Sequence, residues 1–216
     1  MGITAVVFDM DGVLIDSEPV WEKVRRAYVA EKGGQWLPDT QHRLMGMSTQ
    51  EWSEYLSGEL GVREPPETVA RDVVARMSEH YDKAVPLLPG AVEAVQRISE
   101  RWTLGLASSS PRALIDAVLG QTGLIEFFTV TFSTEEVDRG KPAPDVYLAV
   151  AAFLRRQPTD CAAVEDSSNG LRSAHAAGMR VIAAPRPEYP PAPDALALAA
   201  HVVDGLDELT PTLVDG

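Results

Sequence analysis

Six short apolar runs, each closing on a polar or small residue, narrow the folds open to this chain: Thr4 to Asp9, Trp102 to Ser108, Thr129 to Ser133, Cys161 to Glu165, Arg180 to Ala184 and His201 to Asp204. Their length and flanks read as strands. Between most of them lie stretches of helical spacing, such as Leu114, Ile115, Val118 and Leu119, then Val146, Val150 and Leu154. Parallel neighbours need a crossover, which a helix supplies, so the alternation predicts an α/β fold with a Rossmann-like parallel sheet covered on both faces. Helix starts are marked by Pro111 after Ser110, by Pro144 after Ala143, and by Ser167 or Ser168 ahead of a segment that Gly178 stops.

One stretch breaks the alternation. From Ser17 to about Lys83 no strand signal occurs, while Val20, Trp21, Val24, Ala27 and Tyr28 form one helical stripe and Val69, Val73, Val74, Met77 and Tyr81 another. Ser48 and Glu51 make a capping box ahead of Trp52, Tyr55, Leu56 and Leu60. Residues 17–83 therefore read as an all-helical insert, or cap, in a core made of residues 1–16 and 84–216. The insert leaves after the first strand and returns before Pro86, so it is expected over the carboxyl end of the sheet, hinged near Asp16 and Ala84 to Pro86. The segment Pro185 to Asp194, with five prolines, reads as a stiff surface loop and nothing more.

With 19 Lys plus Arg against 32 Asp plus Glu, the net charge of −13 repels a polyanion, so no nucleic-acid partner is expected. The single cysteine, Cys161, has no internal disulfide partner, no run is long enough to span a membrane, and acids at Asp9 and Asp11 come too early for a signal peptide. A cytoplasmic monomer or weak homodimer is the expectation. His42, His80, His175 and His201 have neither metal spacing nor a Ser-His-acid pattern. Of the tryptophans, Trp36, Trp52 and Trp102 are expected in cores and Trp21 alone in the cleft.

The first run ends in Asp9-Met10-Asp11-Gly12. Side chains two apart in an extended chain point the same way, so the two aspartates converge while Gly12 allows a sharp turn. Two close carboxylates titrate apart unless a cation binds one of them, which permits an ionised nucleophile beside a proton carrier. A calcium loop competes with this reading, but the ligands of an EF-hand are missing. Three more polar clusters stand where an open parallel sheet places its ligands. Ser108-Ser109-Ser110 ahead of Pro111 either hold an anion or cap a helix. Lys141, in Gly140 to Asp145, is either a fixed cation for an anionic substrate or a solvated lysine. Glu165-Asp166 either completes a hard-cation site with Asp9 or caps the next helix.

Asp-x-Asp-Gly, then Ser, then Lys, then Glu-Asp, in that order over nearly the whole chain, resembles the motifs of the haloacid dehalogenase superfamily, and the helical insert resembles the cap of its β-phosphoglucomutase-like branch, closest to sugar-phosphate phosphatases. The resemblance implies a Mg²⁺-dependent phosphatase. Asp9 becomes the nucleophile that forms an aspartyl-phosphate, Asp11 the acid/base, and Ser108, Ser109 and Lys141 the phosphate holders. The metal site takes Asp9, Asp166 and the Asp11 carbonyl, with Glu165 beside it or acting through water. The superfamily's dehalogenases lack an aspartate at the position of Asp11, so its presence favours phosphoryl transfer. In the cap, Trp21, Arg43, Gly46 and Ser48 are the expected substrate contacts, with Met77 a further candidate. The partner is a small phosphorylated metabolite. A phosphosugar mutase is the alternative, but Thr49 stands where the mutases carry a phosphate-binding arginine, and Trp21 replaces a histidine. A phospho-acceptor module of the receiver type would carry no helical insert.

Overall fold

A computed structural model describes residues 2–45 and 47–216, with the side chain of His42 also outside the description. The strands are β1 Ala5–Phe8, β2 Thr103–Ser108, β3 Phe128–Ser133, β4 Cys161–Glu165, β5 Arg180–Ala183 and β6 His201–Val202. They form one six-stranded sheet in the order β3-β2-β1-β4-β5-β6, with every pairing parallel. The order reverses at β1, which pairs with β2 on one side and β4 on the other. A crevice opens beyond the carboxyl ends at such a reversal.

All four residues of β1 are buried, and they alternate between two cores. Val6 and Phe8 face Ala94, Val95 and Ile98 of α5 (Ala91–Ser99) and Leu114 and Val118 of α6 (Arg112–Thr122), whereas Ala5 and Val7 face α7 (Asp145–Phe153) and α8 (Ser168–Ala176). That double cover explains why β1 is apolar throughout, whereas the edge strand β3 alternates apolar residues with threonines.

Between β1 and α5 lie α1 (Glu18–Glu31), α2 (Thr40–Leu44), α3 (Thr49–Gly58) and α4 (Pro66–Tyr81), with no strand among the described residues of this stretch. Two short helices, α9 (Pro193–Leu196) and α10 (Pro211–Asp215), complete the chain. α4 is the spine of the insert, packing against both α1 and α3 and reaching α6. Its stripe of Val69, Val73, Met77 and Tyr81 is buried, with Val74 at the margin. On α1 the stripe is narrower than its spacing predicts: Trp21, Val24 and Tyr28 are buried but Ala27 is exposed. Arg25 is buried instead. The capping box of α3 forms, with Glu51 N–H donating to Ser48 Oγ at 3.3 Å and Ser48 N–H to Glu51 Oε2 at 2.7 Å.

The two crossings between core and insert are tied to each other. Asp16 N–H donates to Pro86 O (2.8 Å), Leu88 N–H donates to Leu14 O (2.9 Å), and Ile15 bridges Leu87 in antiparallel sense. Trp102 is buried under the sheet with its indole N–H on Ile3 O at 2.9 Å. Among the described residues no helix is long and apolar enough to cross a membrane.

Candidate active site

β1 carries Asp9 to the crevice just beyond its last residue, Phe8, and Gly12 then turns the chain with φ of +77°. Glycine is required at this turn for a second reason, since a Cβ there would overlap the Asp166 carboxylate. Asp166 follows β4, so the two central strands deliver two aspartates to one point. Asp9, Glu165 and Asp166 each bring a carboxylate oxygen to within 4.8 Å of the others. The Asp11 side chain is not part of that group.

Lys141 ties the rim together. Its ammonium donates to Asp9 Oδ1 (2.9 Å), Ala107 O (3.0 Å) and Glu165 Oε1 (2.6 Å), which accounts for all three of its protons. Glu165 is wholly buried and fully engaged. Oε1 also accepts from Tyr147 Oη (2.8 Å), while Oε2 accepts from Asp166 N–H (3.1 Å) and from the Ser167 hydroxyl (3.2 Å). It therefore sits behind the cleft, fixing Lys141 and the β4 turn. Ser167, rather than either acid, caps α8 by accepting from Gly170 N–H at 3.1 Å, which leaves Asp166 free of the capping role.

Burial and the nearby Glu165 and Asp11 charges push the Asp9 carboxyl up to about 8, against the pull of Lys141. Burial, Glu165 and Asp9 raise Asp166 well above the usual carboxylate range. Burial also works against the Lys141 ammonium, but Asp9 and Glu165 outweigh it and hold its pKa above that of an ordinary lysine. Crowded, desolvated carboxylates of this kind are stabilised by a divalent cation. One orphaned atom of this group fits such an ion: Asp166 Oδ1 is buried without a hydrogen-bond partner, as is Asp11 Oδ1 beside the group. An all-oxygen set suits a hard ion.

The serine run divides its work. Ser108 is fully buried and its Oγ donates to Asp11 Oδ2 at 3.2 Å. Ser110, which the sequence did not single out, donates to the same oxygen at 2.8 Å and lines the cleft beside Ser109. Together they hold the Asp11 carboxylate in place.

Above the rim lies a cleft of about 460 Å³. Trp21 and Trp52 both line it with ring centroids 6.0 Å apart, so Trp21 is not alone there. Arg25 also lines it, 5% exposed, its guanidinium 4.3 Å from the Trp21 ring centroid and 5.0 Å from that of Trp52. Burial lowers Arg25 to about 10, with Glu18 and Asp11 opposing, so it stays charged at neutral pH.

In the insert, several of the expected substrate contacts lie away from the cleft. Arg43 is exposed, bonded to the Tyr55 hydroxyl at 3.2 Å, and does not line the cleft. Ser48 is occupied as the cap of α3, and Met77 is fully buried among apolar residues. Gly46 lies outside the described residues. The proline-rich loop is more than a stiff surface segment: Arg186, Tyr189, Pro190 and Pro191 form part of the cleft wall. Its composition signals stiffness but carries no sign of where the loop packs.

Residues 3–178 match the haloacid dehalogenase-like hydrolases. The chain is 39% identical over 214 residues to hexitol phosphatase B of Escherichia coli (strain K12), covering 96% of this chain and 95% of that protein. It is 31% identical over 179 residues to the phosphorylated carbohydrates phosphatase of Thermotoga maritima, covering 82% and 83%. Among solved structures, CbbY from Rhodobacter sphaeroides in complex with phosphate superposes with a TM-score of 0.87 at 23% identity, over 99% of this chain and 100% of that one. The chain belongs to the haloacid dehalogenase-like hydrolases, in their β-phosphoglucomutase and CbbY-like subfamily, and is a phosphatase.

Proposed function

We propose that this phosphatase hydrolyses small sugar or sugar-alcohol phosphates with Mg²⁺, through an aspartyl-phosphate on Asp9. The observation that carries the reading is the acidic cluster of Asp9, Glu165 and Asp166, in which Asp166 Oδ1 is buried and unpartnered, set beside an Asp11 carboxyl whose Oδ1 is likewise free to carry a proton. A bound Mg²⁺, held by Asp9, Asp166 and the Asp11 carbonyl, supplies positive charge that offsets the phosphate dianion in a chain of net charge −13.

Asp9 attacks phosphorus in line, and the bond from phosphorus to the ester oxygen breaks. Asp11, oriented by Ser108 and Ser110, gives its proton to the departing alcohol oxygen. Water then attacks the aspartyl-phosphate, Asp11 takes that water's proton, and inorganic phosphate and Asp9 are released. Lys141 has no spare proton, so it reaches a phosphoryl oxygen only by giving up one of its three bonds, and in this reading it gives up the one to Asp9 Oδ1. That exchange frees the attacking oxygen as the substrate arrives. Ser109, at the cleft surface, is the further donor to the phosphoryl group.

Residues 17–83 act as a cap that closes over the bound ester to exclude bulk water and opens to release the alcohol. Residues 1–16 and 84–216 form the catalytic core. Hydrolysis of para-nitrophenyl phosphate tests the reading: Mg²⁺-dependent turnover lost in Asp9→Asn supports it, and no turnover of any phosphate ester defeats it. Supplying a sugar 1-phosphate with its bisphosphate primer separates phosphate release from isomerisation.

A further inference from the structure

Four of the seven buried side-chain atoms without a partner among the described residues belong to the lining of one cleft: Asp11 Oδ1, Asp166 Oδ1, Ser17 Oγ and Arg25 Nε. The first two lie at the rim. The other two lie in the outer half, where nothing so far described uses them. A buried polar atom left unmatched costs about 1–3 kcal/mol, so its persistence points to a ligand that matches it.

Charge indicates what kind of ligand. The outer half presents Asp16 and Glu18 against Arg25 and Arg186, a net of zero. Arg186 is already engaged, 3.5 Å from Asp16 and 3.6 Å from Glu188. Arg25 forms no ion pair or hydrogen bond to any described residue, although it is buried and charged. Glu18, Trp21 and Arg25 are spaced i, i+3, i+7, which puts them on one face of α1, and all three line the cleft. Glu18 Oε2 is held by the Gln41 amide at 2.7 Å.

We propose that Glu18, Trp21 and Arg25, with Ser17 and Trp52, form a subsite for the hydroxyl groups of an uncharged polyol, which is the part of the substrate released as alcohol. This rests on the phosphatase reading above. Arg25 donates to hydroxyl oxygens and Glu18 accepts hydroxyl protons, and only a group that both gives and takes hydrogen bonds satisfies a set of mixed sign. A second anion at this end gains one free cation but faces two carboxylates. An apolar leaving group leaves Arg25 and Ser17 as unmatched as before. The two indoles supply flat apolar walls for the C–H faces between the hydroxyls.

The experiment measures kcat/KM for sorbitol 6-phosphate, fructose 1,6-bisphosphate and para-nitrophenyl phosphate in the full chain with Mg²⁺. The quantity read is the ratio of the sorbitol ester to the nitrophenyl ester. Arg25→Met is expected to lower that ratio about 30-fold, the loss of one or two charge-assisted hydrogen bonds. Glu18→Gln removes no buried cation and should lower it about 5-fold. A misfolded variant depresses both esters and leaves the ratio standing. In a variant whose circular dichroism matches that of the parent, an unmoved ratio overturns the proposal, and so does a larger loss on the bisphosphate than on the sorbitol ester, which would make Arg25 an anion ligand. Binding is read separately from tryptophan fluorescence in Asp9→Asn, titrated with sorbitol 6-phosphate and with inorganic phosphate. If the enzyme turns over no ester, the function proposed above falls while this titration still decides the subsite. A preference for the ester that shrinks in Asp9→Asn/Arg25→Met supports it, and equal affinity for ester and phosphate overturns it.

Discussion

At the carboxyl rim of the sheet Lys141 gives all three of its protons to the protein, whereas on α1 above it Arg25 makes no hydrogen bond to any described residue and its buried Nε is unpartnered. Both cations are buried, so burial alone does not account for the difference. The rim is assembled around the ends of β1, β2 and β4, whose positions the sheet fixes, and its Lys141 and Glu165 are fully matched before any substrate arrives, with Asp11 Oδ1 and Asp166 Oδ1 the atoms left open there among the described residues. Such preorganisation is what stabilises developing charge during reaction. The α1 face is built from one helix packed on α4, and its polar atoms await partners from outside. One region is finished for chemistry, and the other is left open for recognition.

The strongest way to break the contrast is at the rim. Asp9→Asn should lower turnover at least about 10⁴-fold, since the attacking oxygen is lost; measurable burst formation of a covalent phosphoenzyme in that variant would refute its role. Lys141→Met should cost about 10³-fold in kcat and about 3–5 kcal/mol in urea unfolding, because it leaves Asp9 and Glu165 buried together without their cation. An unchanged unfolding midpoint would show that the network is not structural.

The raised pKa values give a pH test. A carboxyl that binds its proton more tightly folded than unfolded stabilises the fold below its unfolded pKa of about 3.8 and loses that contribution as pH rises through its folded value, about 8 for Asp9. In chelator, the melting temperature should therefore fall between about pH 5 and pH 8. Mg²⁺ should reduce the slope. A melting temperature in chelator that rises over this range contradicts the assignment.

Smaller effects sharpen the boundary between the regions. Tyr147→Phe removes one hydrogen bond to Glu165 and should cost about 1 kcal/mol of stability with a fall in kcat of less than about 10-fold. In the insert, Ser48→Ala should cost about 1 kcal/mol through the lost cap of α3. Because Ser48 is away from the cleft, KM for any ester should stay as it is, and a raised KM would return this serine to substrate binding.

The strands were legible because burial on both faces leaves a continuous apolar run with polar ends, and the rim residues because they fall directly after those runs. Asp9 and Asp166 each stand one residue past a strand end, so local pattern finds them, whereas Lys141 lies eight residues past Ser133 and was marked instead by the glycine and prolines of its turn. Arg25 escaped for the converse reason. It stands in Glu22-Lys23-Val24-Arg25-Arg26, where a charged residue reads as solvated, and only the fold reveals that Trp52 of another helix closes over it. Its spacing from Glu18 and Trp21 was the available signal, masked by the apolar stripe of Val20, Val24 and Tyr28. Ser110 lay hidden in a run of three identical residues, and which of them turns inward depends on the backbone. Arg43 and Ser48 were named from their place along the chain, but each had a nearer partner, Tyr55 and Glu51.

The paired crossings between core and insert have a mechanical consequence. Because Asp16 bonds to Pro86 and Leu88 to Leu14, the two chains run as a ribbon rather than as independent tethers. A ribbon flexes across its flat face far more readily than it shears along its length. Lengthening one chain by a single residue would force its partner out of alignment, whereas matched insertions in both would keep the pairing and simply raise the roof. Evolution and engineering can therefore alter the height of this chamber only in coordinated steps.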